Sequence, residues 1–150
     1  MRNHDFPKLD MRRPPSLAKS GGAVRLGRPH RGVLGVAEGW ETAAAARQLA
    51  GIACWATTGW ALLETWEPPP EVHTVIVWAD HDASGRGQRS AETLASRLME
   101  RGRAVHIAVP PQPDSDWCDV ALAWAERGGR WCPPMVAPGL WTPPFWRPVS

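Results

Sequence analysis

Three groups of acids in this chain are spaced as metal-assisted chemistry requires. Asp80 and Asp82, one residue apart in VIVWADHDASGRG (75–87), follow directly on an apolar run. Glu38 follows VLGVA (33–37), and Asp114, Asp116 and Asp119 follow RAVHIAV (103–109) after a Pro-Pro-Gln-Pro stretch. Carboxylates gathered at the rim of a core repel one another and lose hydration, which costs several kcal/mol per ion unless an opposite charge meets them. A hard divalent cation is the usual remedy. Mg²⁺ needs only one or two protein carboxylates beside waters and phosphate oxygens.

Each acid also has a plainer use. Glu38 suits the start of a helix, where the dipole favours negative charge. Asp82 and Asp116 suit N-caps of the segments behind them. DHDASG opens like a calcium-binding EF-hand loop, but its twelfth position is Ala91 rather than Glu, and a strand precedes it, which excludes that reading. A strand followed by Asp-x-Asp also resembles an aspartyl phosphatase of the haloacid dehalogenase type, with the first Asp as nucleophile. Those enzymes use a downstream Lys, whereas the only lysines here, Lys8 and Lys19, lie upstream.

The elements that must carry these acids alternate. VLGVA, IACWAT (52–57), VHTVIVWA (72–79) and RAVHIAV are short apolar or β-branched runs that predict buried strands. Between them, ETAAAARQLAG (41–51) is rich in helix formers and ends on Gly51. WALLETW (60–66) predicts a brief helix stopped by the prolines at 68–70. In 88–101, Ala91, Leu94, Ala95, Leu98 and Met99 fall on one helical face, and Gly102 closes the segment. DVALAWAERGG (119–129) predicts a last helix, and GGAVRLG (21–27) a short edge strand. Strands alternating with helices imply an α/β fold, a mostly parallel four-stranded sheet flanked by helices. In such sheets ligands bind beyond the carboxyl ends of the strands, where all three acid groups fall.

Composition bounds the rest. The 150 residues suit one domain, expected over 21–129, with a basic irregular arm at 1–20 and a Pro/Trp-rich tail at 130–150. Residues 1–32 hold eight Lys and Arg against two Asp, so the remainder is net acidic although the chain totals +2. A basic arm beside an acidic body is compatible with polyanion binding, or with a solvated tail. Cys54, Cys118 and Cys132 form no C-x-x-C pair, so neither a zinc ribbon nor a disulfide framework is implied. No apolar stretch is long enough to span a membrane and no signal peptide is visible, so a cytoplasmic location is expected.

Together these segments resemble the toprim domain, the catalytic module of topoisomerases, bacterial primases and some nucleases. VAEGWETAAAA (36–46) resembles the family's first motif and VIVWADHDASGRGQRSA (75–91) its second. DWCDVAL (116–122) and GGAVRLG resemble the toprim domains of phage and plasmid primase-helicases, with Cys118 standing where that subgroup has Asn. The resemblance implies a Rossmann-like fold and a DNA primase-type nucleotidyltransferase. It implies Glu38 as general acid or base, Asp80, Asp82, Asp116 and, less directly, Asp119 as ligands of Mg²⁺ (or Mn²⁺), Glu41 behind them and Arg86 on a phosphate. DNA and nucleoside triphosphates are the implied partners, in replication of a mobile element. No P-loop or zinc module is present, so a helicase or zinc-binding subunit is expected to be encoded separately. A non-catalytic module binding nucleic acid or a replication partner, and a toprim nuclease, are the alternatives.

Overall fold

The computed structural model describes residues 22–126, 128 and 146–148. The remainder of the expected arm and tail, with Cys132, lies outside these residues. Six strands form one sheet: β1 (Val24–Leu26), β2 (Val33–Ala37), β3 (Cys54–Ala56), β4 (Thr74–Trp78), β5 (Ala104–Ala108) and β6 (Trp146–Pro148). Four helices connect them: α1 (Trp40–Ala50), α2 (Trp60–Thr65), α3 (Arg86–Glu100) and α4 (Trp117–Glu126).

The sheet order is β1-β3-β2-β4-β5-β6. The four inner strands are parallel and are the four expected, whereas β1 and β6 pair antiparallel at the two edges. One edge, β1, falls inside GGAVRLG; the other, β6, falls in the segment expected to be an extended tail. An edge strand tolerates the proline of β6, because only one side of its backbone needs to donate to the ladder.

All five residues of β2 and of β4 are buried, as befits strands covered on both faces. Their side chains alternate between two cores. Val33, Ala37, Ile76 and Trp78 meet α1 and α4 on one face, together with Leu49, Trp117 and Ala121. Leu34, Val36, Val75 and Val77 meet α2 and α3 on the other, with Leu63, Trp66, Leu94 and Leu98. Gly35 sits in the middle of β2 because the Trp78 indole crosses it. A Cβ there would lie 3.0 Å from both Trp78 Nε1 and Cys54 Sγ.

The connections set a switch point. From β2 the chain passes through α1 to β3 on one side, then returns through α2 to β4 on β2's other side. The carboxyl ends of β2 and β4 therefore flank the place where the winding direction reverses, which is where open α/β sheets form a crevice. Register fixes the neighbours there, since Ala37 pairs with Trp78. Glu38 is the next residue on one strand, and Ala79 and Asp80 come next on the other.

Candidate active site

Asp80 is the centre of the rim. Thr42, buried in the first turn of α1, donates its hydroxyl to Asp80 Oδ1 at 3.3 Å. The Asp80 carboxyl is held above the usual aspartate range, mainly by partial burial and next by the charge of Asp116; Glu38 and Asp82 add to this, and the Thr42 hydroxyl opposes it. Acids from three strand ends thus act on one another at a single rim.

Asp116 arrives by folding of the β5–α4 loop. The His81 amide donates to the Ser115 carbonyl at 3.1 Å, and His81 Nδ1 lies 2.9 Å from the Pro110 carbonyl. Trp117 completes the anchor: its buried indole donates to the Ala79 carbonyl at 2.9 Å and packs edge-on against Trp78. The tryptophan of DWCDVAL is therefore the post that ties Asp116 to the end of β4.

The plainer uses of the acids are also realised. Asp82 Oδ1 accepts from the Ser84 hydroxyl at 2.6 Å and the Arg86 amide at 3.1 Å, and Oδ2 accepts from the Gly87 amide at 3.2 Å. The Ser84 hydroxyl leads in holding the Asp82 carboxyl below the usual range, so it stays ionised. Asp116 and Asp119 cap α4 reciprocally, each side chain accepting from the other's amide at 2.8 and 3.1 Å. Glu41 is exposed on α1, and its charge is felt by the Cys118 thiol. Burial first, then the surrounding acids, push that thiol up and keep it protonated.

Arg86 is placed differently from a bare phosphate ligand: its guanidinium lies over the Trp60 ring, 3.6 Å from the centroid. Among the described residues the ion pairs are those of Arg97 and Arg101 with Glu67, at the far end of α3, and none involves a rim acid. Also among the described residues, no three His, Cys, Asp or Glu side chains are close enough to chelate an ion as they stand. The donor set nonetheless suits Mg²⁺, which is content with one or two carboxylates and fills its octahedron with water and substrate oxygens.

Sequence reasoning missed Thr42, Gly87 and Trp60. Thr42 lies one turn beyond Glu38 on the same motif, which was the signal available. A Cβ on Gly87 would come within 3.2 Å of both the Asp80 carbonyl and Asp82 Oδ2, so glycine there lets α3 start against the acids. Its place behind Asp-x-Asp was visible, but its reason was not.

A mostly parallel sheet, with acids at the switch point of its inner strands, defines an α/β protein whose acids gather at the carboxyl rim. A family model described as Toprim domain matches residues 33–126, more than half of the chain, and the chain belongs to that family. Among solved structures it is similar to a DNA primase domain from Pseudomonas aeruginosa, at 19% identity and a TM-score of 0.46, over 64% of this chain and 32% of that one. The chain thus spans about a third of that structure's length. No curated protein matches it. No described helix is long and apolar enough to cross a membrane.

Proposed function

We propose that the rim is the catalytic centre of a DNA primase-type module that joins nucleotides on a single-stranded template, of the kind found in phage and plasmid primase-helicases. The observation that carries this reading is the group of carboxylates acting on Asp80 with no cation of the described residues paired to any of them. Such an arrangement is unfavourable alone and favourable around a cation.

Asp80 would hold Mg²⁺ or Mn²⁺ together with Asp82 or Asp116, with Asp119 fixing the orientation of Asp116. The bound ion would neutralise phosphate charge and align the reacting groups. Glu38, beyond the neighbouring strand, holds or moves the proton of the attacking or leaving hydroxyl. Thr42 steadies the Asp80 carboxylate through its hydroxyl. Template, nucleoside triphosphates and a separately encoded helicase or zinc-binding subunit are the proposed partners.

Thermal melting in a Mg²⁺ or Mn²⁺ titration tests the reading. The melting temperature of the unaltered chain should rise with metal, and that of the Asp80→Ala, Asp82→Ala double variant should not. Primer synthesis on single-stranded DNA should fall at least about a hundredfold in Glu38→Gln, since loss of a general acid or base typically costs that much or more. Cleavage of the template in place of synthesis would mark a toprim nuclease.

A second reading has its own observation: Asp82, Asp116 and Asp119 already serve as helix caps, so the fold uses them without a metal. A chain that binds DNA but shows neither a metal-dependent melting shift nor synthesis would be a binding module on this fold.

A further inference from the structure

The corner between β3 and α2 is strained. Thr58 sits at φ 65°, a left-handed conformation that a β-branched residue adopts at a cost of about 1–3 kcal/mol. The Thr58 amide donates to the Glu38 carbonyl at 2.7 Å, and the Thr57 amide to the Ala37 carbonyl at 2.9 Å. The ladder between β2 and β3 is thereby extended past the strand ends and through the strained residue. The Thr57 hydroxyl donates to the Gly59 carbonyl at 3.2 Å and closes the corner.

What this corner delivers is Trp60, the first residue of α2, with 45% of its surface open to solvent. Its ring carries the Arg86 guanidinium, and the Arg86 amide is one of those that bond Asp82. An indole–guanidinium stack therefore stands beside the acid rim, joined to it on one side through Glu38 and on the other through Asp82. Arg86 is four residues from Asp82 and exposed, so ordinary electrostatics would let it pair with that carboxylate. It lies over the indole instead, and the carboxylate keeps its charge.

We propose that Trp60 and Arg86 form a stacking platform for an unpaired nucleobase of a strand whose backbone reaches the Asp80–Asp82 rim. The proposal rests on the nucleotidyl-transfer reading above and adds to it how the strand is held. Every base offers a π face, and indole and guanidinium both stack on it without regard to sequence. In a duplex those faces are covered by neighbouring pairs, so the platform selects single strands. The guanidinium also supplies the positive charge that a polyanion needs to approach a rim of acids.

Fluorescence anisotropy on the full chain in Mg²⁺ buffer tests the platform, using labelled oligothymidylate and an abasic strand of equal length and charge. The unaltered chain should bind the base-bearing strand about tenfold more tightly, the effect of stacking one base. Trp60→Ala should erase that preference while leaving abasic binding unchanged, and Trp60→Phe should restore most of it. Arg86→Lys, which keeps the charge and loses the planar group, should reduce the preference at unchanged melting temperature. If Trp60→Ala keeps the preference, the platform is wrong; primer synthesis by the unaltered chain would then still sustain the catalytic reading. If the unaltered chain binds neither strand, the platform and that reading fall together.

Discussion

The two ends of the parallel strands gather charge differently: acids predominate at one, and arginines with a single acid line the groove at the other. At the carboxyl ends, Glu38, Asp82 and Asp116 lie within electrostatic reach of Asp80, and none of the four has an ion-pair partner among the described residues. At the amino ends, Arg28, His30 and Arg47 line a cavity of about 190 Å³ beside Gly27, and Arg25, Arg28, Trp55 and Glu71 line a wider groove of about 710 Å³. There the Arg25 guanidinium lies 4.7 Å from the Trp55 ring centroid, and Trp55 Nε1 donates to the Gly27 carbonyl at 2.9 Å. Each end therefore has an arginine on a tryptophan. At the amino end the pair fastens edge strand β1 to β3, across which Arg25 faces Trp55 in register. At the carboxyl end it stands beside four unneutralised acids. The same contact is structural in one place, where Trp55 is buried in the core, and open to solvent in the other, where Trp60 stands exposed beside the acids.

The largest effect separating the ends should come from the two glycines of the carboxyl rim. Gly87→Ala places a methyl 3.2 Å from a backbone carbonyl and from Asp82 Oδ2, neither of which can yield without moving the site. Overpacking of this kind costs about 1–3 kcal/mol. Gly39→Ala, on the same rim, meets nothing within 4 Å and has extended backbone that alanine accepts. Alanine is the poorer N-cap, so a loss of about 0.5 kcal/mol is expected here, below that of Gly87→Ala. Urea unfolding of the two variants measures both. Equal losses would mean that the close approach of α3 to Asp80 is not what holds the rim together.

That glycine also marks the limit of what the sequence discloses. The strand ends were legible because β4 is β-branched and apolar until Trp78 and polar from Asp80, and parallel strands bring such ends to one edge. The helix after it was expected from Gln88 but begins at Arg86, since the cap comes from Asp82 and a left-handed Gly85 rather than from apolar period. Thr42 meets Asp80 across 38 residues, and Trp60 meets Arg86 across a shorter stretch that still spans a whole strand, so neither pair leaves a local signature. The β6 pairing was hidden for a different reason: a proline-rich segment reads as irregular until a sheet edge offers it partners. The acids were readable as a group, but their capping bonds and the anchoring by Trp117 are properties of the folded rim.

A smaller effect belongs to the amino end. Arg25→Ala removes the cation from Trp55 and should cost about 0.5–1 kcal/mol, the usual range for an exposed pair of this kind. The indole keeps its bond to Gly27, so the edge strand should remain. The metal-dependent melting shift should be the same in this variant as in the parent. A lost metal response in Arg25→Ala would show that the two ends are coupled, contrary to the division drawn above.

The smallest effects are in the pH dependence of the metal-free protein, and Asp80 and Asp82 should contribute with opposite signs. Asp80 is raised on folding, so the folded chain holds that proton more tightly than the unfolded chain. Its contribution is full below the ordinary aspartate value of about 3.9 and is lost as pH rises through the raised one. Asp80→Asn keeps an acceptor for Thr42 and should therefore gain stability relative to the parent as pH climbs through that window, levelling off near neutrality. Asp82 is lowered, so its contribution is present above the ordinary value and lost as pH falls through the depressed one. Asp82→Asn should accordingly be the less stable protein at neutral pH, with the difference closing in acid. Melting curves in chelator from acid to neutral pH measure both differences. Parallel profiles for the two variants would mean that Asp80 is neither desolvated nor crowded by its neighbours, or that Asp82 is not held by its hydrogen bonds, and the contrast between the two carboxylates would fall.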